Sequence, residues 1–78
     1  MSKLKLLNSK ELEKLILKLG FVKVRQRGSH VIYKHNDGRK TVIPFHIGND
    51  LPRPLIRAIL NEIDLTVDEY NSLITKQF

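Results

Sequence analysis

His30, His35 and His46 are the histidines of a chain that has no cysteine, so they are its candidates for moving protons near neutral pH. His30 lies in "RQRGSHVIYKHNDGRK", residues 25–40, which alternates as a strand does yet crowds Arg25, Arg27, Lys34, Arg39 and Lys40 around Gly28, Ser29 and His30. A strand that only filled a core would not need those charges. Cations beside a histidine suit chemistry at a phosphate, where the cations hold the anion and the imidazole gives or takes a proton. No acidic or Cys/His spacing resembles a metal site, so neither metal nor cofactor is expected. The bland alternative is a solvated strand face and a structural histidine. His35 falls on the core side or beside a turn and reads as structural or exposed. His46 ends a strand and reaches the same face only if that strand bends.

These residues need a scaffold, and the periodicity supplies one. "NSKELEKLILKLG", residues 8–20, places Leu12, Leu15, Ile16 and Leu19 at helical spacing, with Asn8 and Glu11 as a capping box and Gly20 as the stop. From Phe21 the period falls to two. "FVKVRQR" then reads as a half-buried strand, with Val22 and Val24 inward and Lys23, Arg25 and Arg27 outward. A two-residue turn at Gly28–Ser29 would set Arg27 opposite His30, Arg25 opposite Ile32, Lys23 opposite Lys34 and Val24 opposite Tyr33. A three-residue loop of Asn36, Asp37 and a left-handed Gly38 leads into "RKTVIPFH", keeping Tyr33, Thr41, Ile43 and Phe45 on the core side. Pro44 cannot donate to a ladder and suits an edge.

"PRPLIRAILNEI" predicts a second helix opened by Pro52 or Pro54, with Leu55, Ile56, Ile59, Leu60 and Ile63 buried. A short third helix begins at Thr66, whose capping box closes at Glu69, and it buries Val67, Tyr70, Leu73 and Ile74. The expected architecture is α+β, in the order α-β-β-β-α-α. Helices cover one face of a three-stranded antiparallel sheet and leave the other, with its basic residues, open.

The 78 residues fit one domain spanning 1–78, which at this length buries only about 60–65 % of the surface its unfolded chain exposes. The lysine-broken N-terminus lacks a signal-peptide run and no stretch is apolar enough to span a membrane, so a cytoplasmic protein is expected. The net charge of +6 is uneven: residues 1–60 carry 13 Lys/Arg against four acids, and residues 61–78 one Lys against four acids. A basic body attracts polyanions, nucleic acid first.

The joint occurrence of "SKELEKLILKLGF", "GFVKVRQRGSH", "HNDGR", "TVIPFH", "LPRPLIRAIL" and "LTVDEY" resembles the HicA-type toxins, the small ribonuclease halves of toxin–antitoxin pairs. The resemblance covers nearly the whole chain. It implies a fold similar to the double-stranded-RNA-binding domain, cleavage of mRNA that depends on the "GSH" histidine, here His30, and a HicB-type antitoxin that masks the site. Two departures stand out. Val31 and Ile32 follow the motif where such proteins often carry a polar or basic residue. Pro54 and Leu55 open the second helix where a glycine and a small polar residue are common.

On this reading scission is metal-independent. His30 removes the proton of a ribose 2′-hydroxyl or protonates the departing 5′-oxygen, while Lys23, Arg25, Arg27, Lys34, Arg39 and Lys40, with the hydroxyl of Ser29, contact RNA. His46, a lysine or water serves as the second proton-transfer group, or His30 acts twice. A rival reading is a small RNA-binding module without chemistry that uses the same face. A third makes the face a dock for an acidic protein, which is compatible with an antitoxin covering His30 and Ile32.

Overall fold

The computed structural model describes residues 3–45 and 48–77. Its elements are α1 (Ser9–Lys18), β1 (Val22–Arg27), β2 (His30–Lys34), β3 (Lys40–Pro44), α2 (Arg53–Glu62) and α3 (Val67–Gln77). The strands form an antiparallel sheet in the order β1-β2-β3. This is the α+β arrangement expected, consistent with a double-stranded-RNA-binding-domain-like fold.

Local signals explain where each helix starts and stops. Asn8 accepts the Glu11 N–H at 2.9 Å while the Glu11 carboxylate accepts the Asn8 N–H at 3.0 Å, satisfying two of the donors that a helix start leaves open. At the other end Gly20, with φ +100°, lets its N–H reach the Leu17 carbonyl and the Phe21 N–H reach that of Ile16, both at 3.1 Å. Pro52 precedes α2 and Pro54 lies in its first turn. The end of α2 repeats the α1 device with Asp64 in place of glycine: φ is +58°, and the Leu65 N–H donates to the Leu60 carbonyl at 2.9 Å. Thr66 and Glu69 exchange the bonds of the second capping box at the start of α3.

The core joins Leu12, Leu15 and Ile16 of α1, Val31, Tyr33 and Ile43 of the sheet, Ile56, Ile59 and Leu60 of α2, and Tyr70 and Ile74 of α3. Polar groups also tie the layers together. Thr41 on β3 donates to Glu62 at 2.7 Å, and the Tyr33 hydroxyl donates to Glu13 on α1. Burial first, and Glu13 second, push the Tyr33 hydroxyl well above its ordinary range, so it remains a donor.

The second hairpin matches the expectation. Asn36, Asp37 and Gly38 form its loop, Gly38 has φ +98°, and the His35 N–H donates to the Arg39 carbonyl at 2.9 Å. Tyr33, Thr41 and Ile43 are buried and Phe45 is half-buried.

The first strand does not match. β1 is exposed at all six positions, and Val22 and Val24 keep 57 % and 52 % of their surface in water. α1 and α2 pack against β3, and β1 extends beyond their cover. A register shift between Lys23 and Arg25 sets Lys23 opposite Tyr33 and Val22 opposite Lys34. Val24 is the extra residue of a β-bulge. The expected pairs Lys23–Lys34 and Val24–Tyr33 are therefore corrected. With α1 and α2 packed mainly on β3, the valines stay in water, whereas Glu13 of α1 offers Lys23 a partner at 3.4 Å on the helix side.

Residues 3–8 were not expected to join the core, yet Leu4 and Leu7 are buried. Arg53 donates to the Leu4 carbonyl at 2.9 Å, the Leu51 N–H to that of Leu7 at 2.9 Å, the Tyr70 hydroxyl to that of Lys5 at 2.6 Å, and the Asn71 amide to that of Lys3 at 2.6 Å.

Candidate nucleic-acid interface

Strand alternation fixes which side chains share the open face. His30, Ile32 and Lys34 point away from the buried Val31 and Tyr33 of the same strand. Opposite them stand Arg27, Arg25 and Val22 on β1, and Pro44, Val42 and Lys40 on β3. None of these outward positions carries an acidic residue. Lys34 faces Lys40 directly, an arrangement of like charges that destabilises a sheet until an anion lies between them.

His30 is exposed at the first position of β2, between Arg27 and Pro44. Its backbone is held from both sides. Gly28 turns the chain with φ +60°, and the Ser29 carbonyl accepts the Phe45 N–H at 2.7 Å, tying the turn to the end of β3. The Gln26 amide donates to the Gly28 carbonyl at 3.0 Å and braces the turn from β1. The turn that sets His30 opposite Arg27 is thus held by one backbone bond and one bond from the Gln26 side chain.

The remaining expected contacts separate. Arg25, Arg27, Lys34 and Lys40 share the face with His30, and Ser29 forms the turn beside it. Lys23 does not share it, because the bulge turns it toward Glu13. Arg39 does not either: its Nε donates to Asp37 at 2.8 Å, its Nη1 donates to the Ile63 carbonyl, and its guanidinium lies 5.1 Å from the centre of the Phe21 ring. It fastens the second hairpin to the end of α2. The Arg39 N–H and then its guanidinium hold the Asp37 carboxyl below the usual range.

His35 is structural. Its Nε2–H donates to the Leu19 carbonyl at 3.1 Å, its Nδ1 accepts the Asp37 N–H at 3.2 Å, and its ring meets Phe21 edge-on at 5.0 Å. His46 lies outside the described residues. Among the described residues no three His, Asp or Glu side chains gather as a metal site requires. No helix is long and apolar enough to cross a membrane, among the residues described.

Sequence reasoning missed one feature of the face. Because Val24 is the bulged residue, it sits beside Arg25 on the outer surface, and with Ile32, Lys34 and Lys40 the two line a shallow open depression. Unbroken alternation in "VKVRQR" gives no signal of a bulge.

A search of curated proteins finds no match to the chain. The family model described as the HicA toxin of bacterial toxin–antitoxin systems matches residues 9–65, from the first turn of α1 through the end of α2 and the whole sheet between them. That match spans most of the sequence, and its expected fold is the one observed: the chain belongs to the HicA toxin family.

Proposed function

We propose that the protein is an endoribonuclease that cuts mRNA without a metal ion, with His30 as its proton-transfer residue. The supporting observation is the pairing of an exposed His30 with Arg27, on a sheet face that carries Arg25, Lys34 and Lys40 and no acid at its outward strand positions. In such a reaction the ribose 2′-oxygen attacks the adjacent phosphorus, the 2′-proton leaves, and the 5′-oxygen departs with a proton. His30 takes the first proton or supplies the second, a role worth about 10²- to 10⁴-fold in rate. Arg27, its cross-strand neighbour, is placed to offset the charge that grows on the phosphoryl oxygens, and Arg25, Lys34 and Lys40 hold flanking phosphates. The second proton-transfer group is His46, a lysine or water, or His30 acts in turn as both. Lys23 and Arg39 have no part in this assignment, being engaged on the helix side. A HicB-type antitoxin would silence the enzyme by covering His30 with carboxylates and its apolar surroundings with apolar side chains.

The test is incubation of the purified protein with a mixed RNA transcript in EDTA, beside a His30→Ala variant shown by circular dichroism to be folded. Cleavage by the parent alone supports the assignment. Equal RNA binding by both, with no cleavage by either, refutes the catalytic role and leaves a binding module.

A further inference from the structure

The open face holds a second element, about 7 Å along the strands from the Arg27–His30 pair. There the bulge brings Val24 next to Arg25, and these two with Ile32, Lys34 and Lys40 line the depression. Its chemistry is specific in kind. Two aliphatic side chains form the apolar part, and every charged group around them is a cation and a hydrogen-bond donor. The ligand that satisfies both parts is an anion attached to a flat, weakly polar ring.

We propose that this depression is a subsite for the nucleotide next to the scissile one. Its base and ribose lie against Val24 and Ile32, and its phosphate lies among Arg25, Lys34 and Lys40. The proposal rests on the RNA-cleaving reading of the same face and adds to it a position that contacts a nucleoside as well as phosphate. Three observations favour RNA over an acidic protein as occupant. The depression is in line with His30 along β2, its separation is about one nucleotide step in an extended strand, and the cations form a row from Arg27 through Arg25 to Lys34 and Lys40. A repeating polyanion matches a row of cations. With no aromatic ring in the lining, the base is held by aliphatic contact, and the site has no platform for stacking.

The experiment measures binding without turnover. In the His30→Ala background, fluorescence anisotropy gives the affinity for a short single-stranded RNA and for the same RNA with its bases removed. Ile32→Asn, an outward-facing change, is added, and Val24→Asn repeats it at the bulge. Each variant is expected to weaken the intact RNA about tenfold, the order of a lost aliphatic pocket contact, and the abasic RNA less than about twofold. Equal weakening of both RNAs, or of neither, in both folded variants would overturn the subsite. Failure of the parent protein to cut RNA would refute the catalytic reading while leaving this difference measurable. Loss of affinity for an acidic antitoxin with RNA binding unchanged would assign the depression to a protein partner and overturn the proposal.

Discussion

Gly20→Ala tests the structural role of His35, the residue just after β2, by a stability measurement. Gly20 has φ +100°, and a Cβ added there would lie 2.9 Å from the Nε2 of His35. The left-handed backbone costs an L-residue about 1–2 kcal/mol. The contact adds a second cost, because His35 must move away from the Leu19 carbonyl it holds at 3.1 Å, and that hydrogen bond contributes about 1 kcal/mol. Together they predict a loss of about 2–3 kcal/mol, which for a domain of this size lowers Tm by roughly 10–20 °C. Thermal melts of the parent, Gly20→Ala, His35→Ala and the double variant complete a cycle. In the His35→Ala background only the backbone cost remains, so Gly20→Ala should cost about 1 kcal/mol less there. Equal losses in the two backgrounds would refute the steric argument. RNA cleavage by His35→Ala, assayed below its melting point, should stay near the parent level, unlike that of His30→Ala.

Three further outcomes follow from contacts described above. Arg25→Ala should flatten the dependence of RNA affinity on salt by about 0.7 in the log–log slope, while Lys23→Ala, engaged with Glu13, should leave the slope unchanged; equal changes would place Lys23 on the RNA face. Asp64→Gly relieves the only left-handed non-glycine among the described residues, and should raise Tm by about 3–6 °C, corresponding to roughly 0.5–1 kcal/mol, in a calorimetric scan. Asp37 and Glu69 are both held below their ordinary carboxyl values, first by the N–H groups of Arg39 and Thr66 respectively. The unfolded chain therefore takes up these protons first as pH falls, so their contribution is present above pH 4.5 and fades as pH drops through the lower native values. Urea midpoints from about pH 5 to pH 2 should fall less steeply in Asp37→Asn/Glu69→Gln than in the parent; identical slopes would contradict the linkage.

Much of the fold was legible because its signals are local. Asn8 with Glu11, Thr66 with Glu69, and Gly20, Gly28 and Gly38 each specify a cap or turn through a few neighbouring atoms, and each acts as its type predicts. The pairing of Arg27 with His30 followed from the turn between them. Long-range packing was not legible. The fate of Val22, Lys23 and Val24 depends on how far the helices reach across the sheet, and the fate of Arg39 depends on the end of α2 lying beneath it. A basic residue beside a turn looks the same in sequence whether it meets a solvent-borne anion or an internal carbonyl.

The family match ends at residues 9 and 65, and the segments outside it bond to each other as well as to the matched part. Lys3 and Lys5 receive Asn71 and Tyr70 through their carbonyls, while Leu4 and Leu7 enter the same core as Tyr70 and Ile74. The two flanks therefore pack as one unit. Because their bonds run through backbone carbonyls, residues 3 and 5 can change identity freely, but neither flank can be trimmed or re-registered alone without stripping the other of its partner. Shortening either flank should therefore loosen the packing of the other.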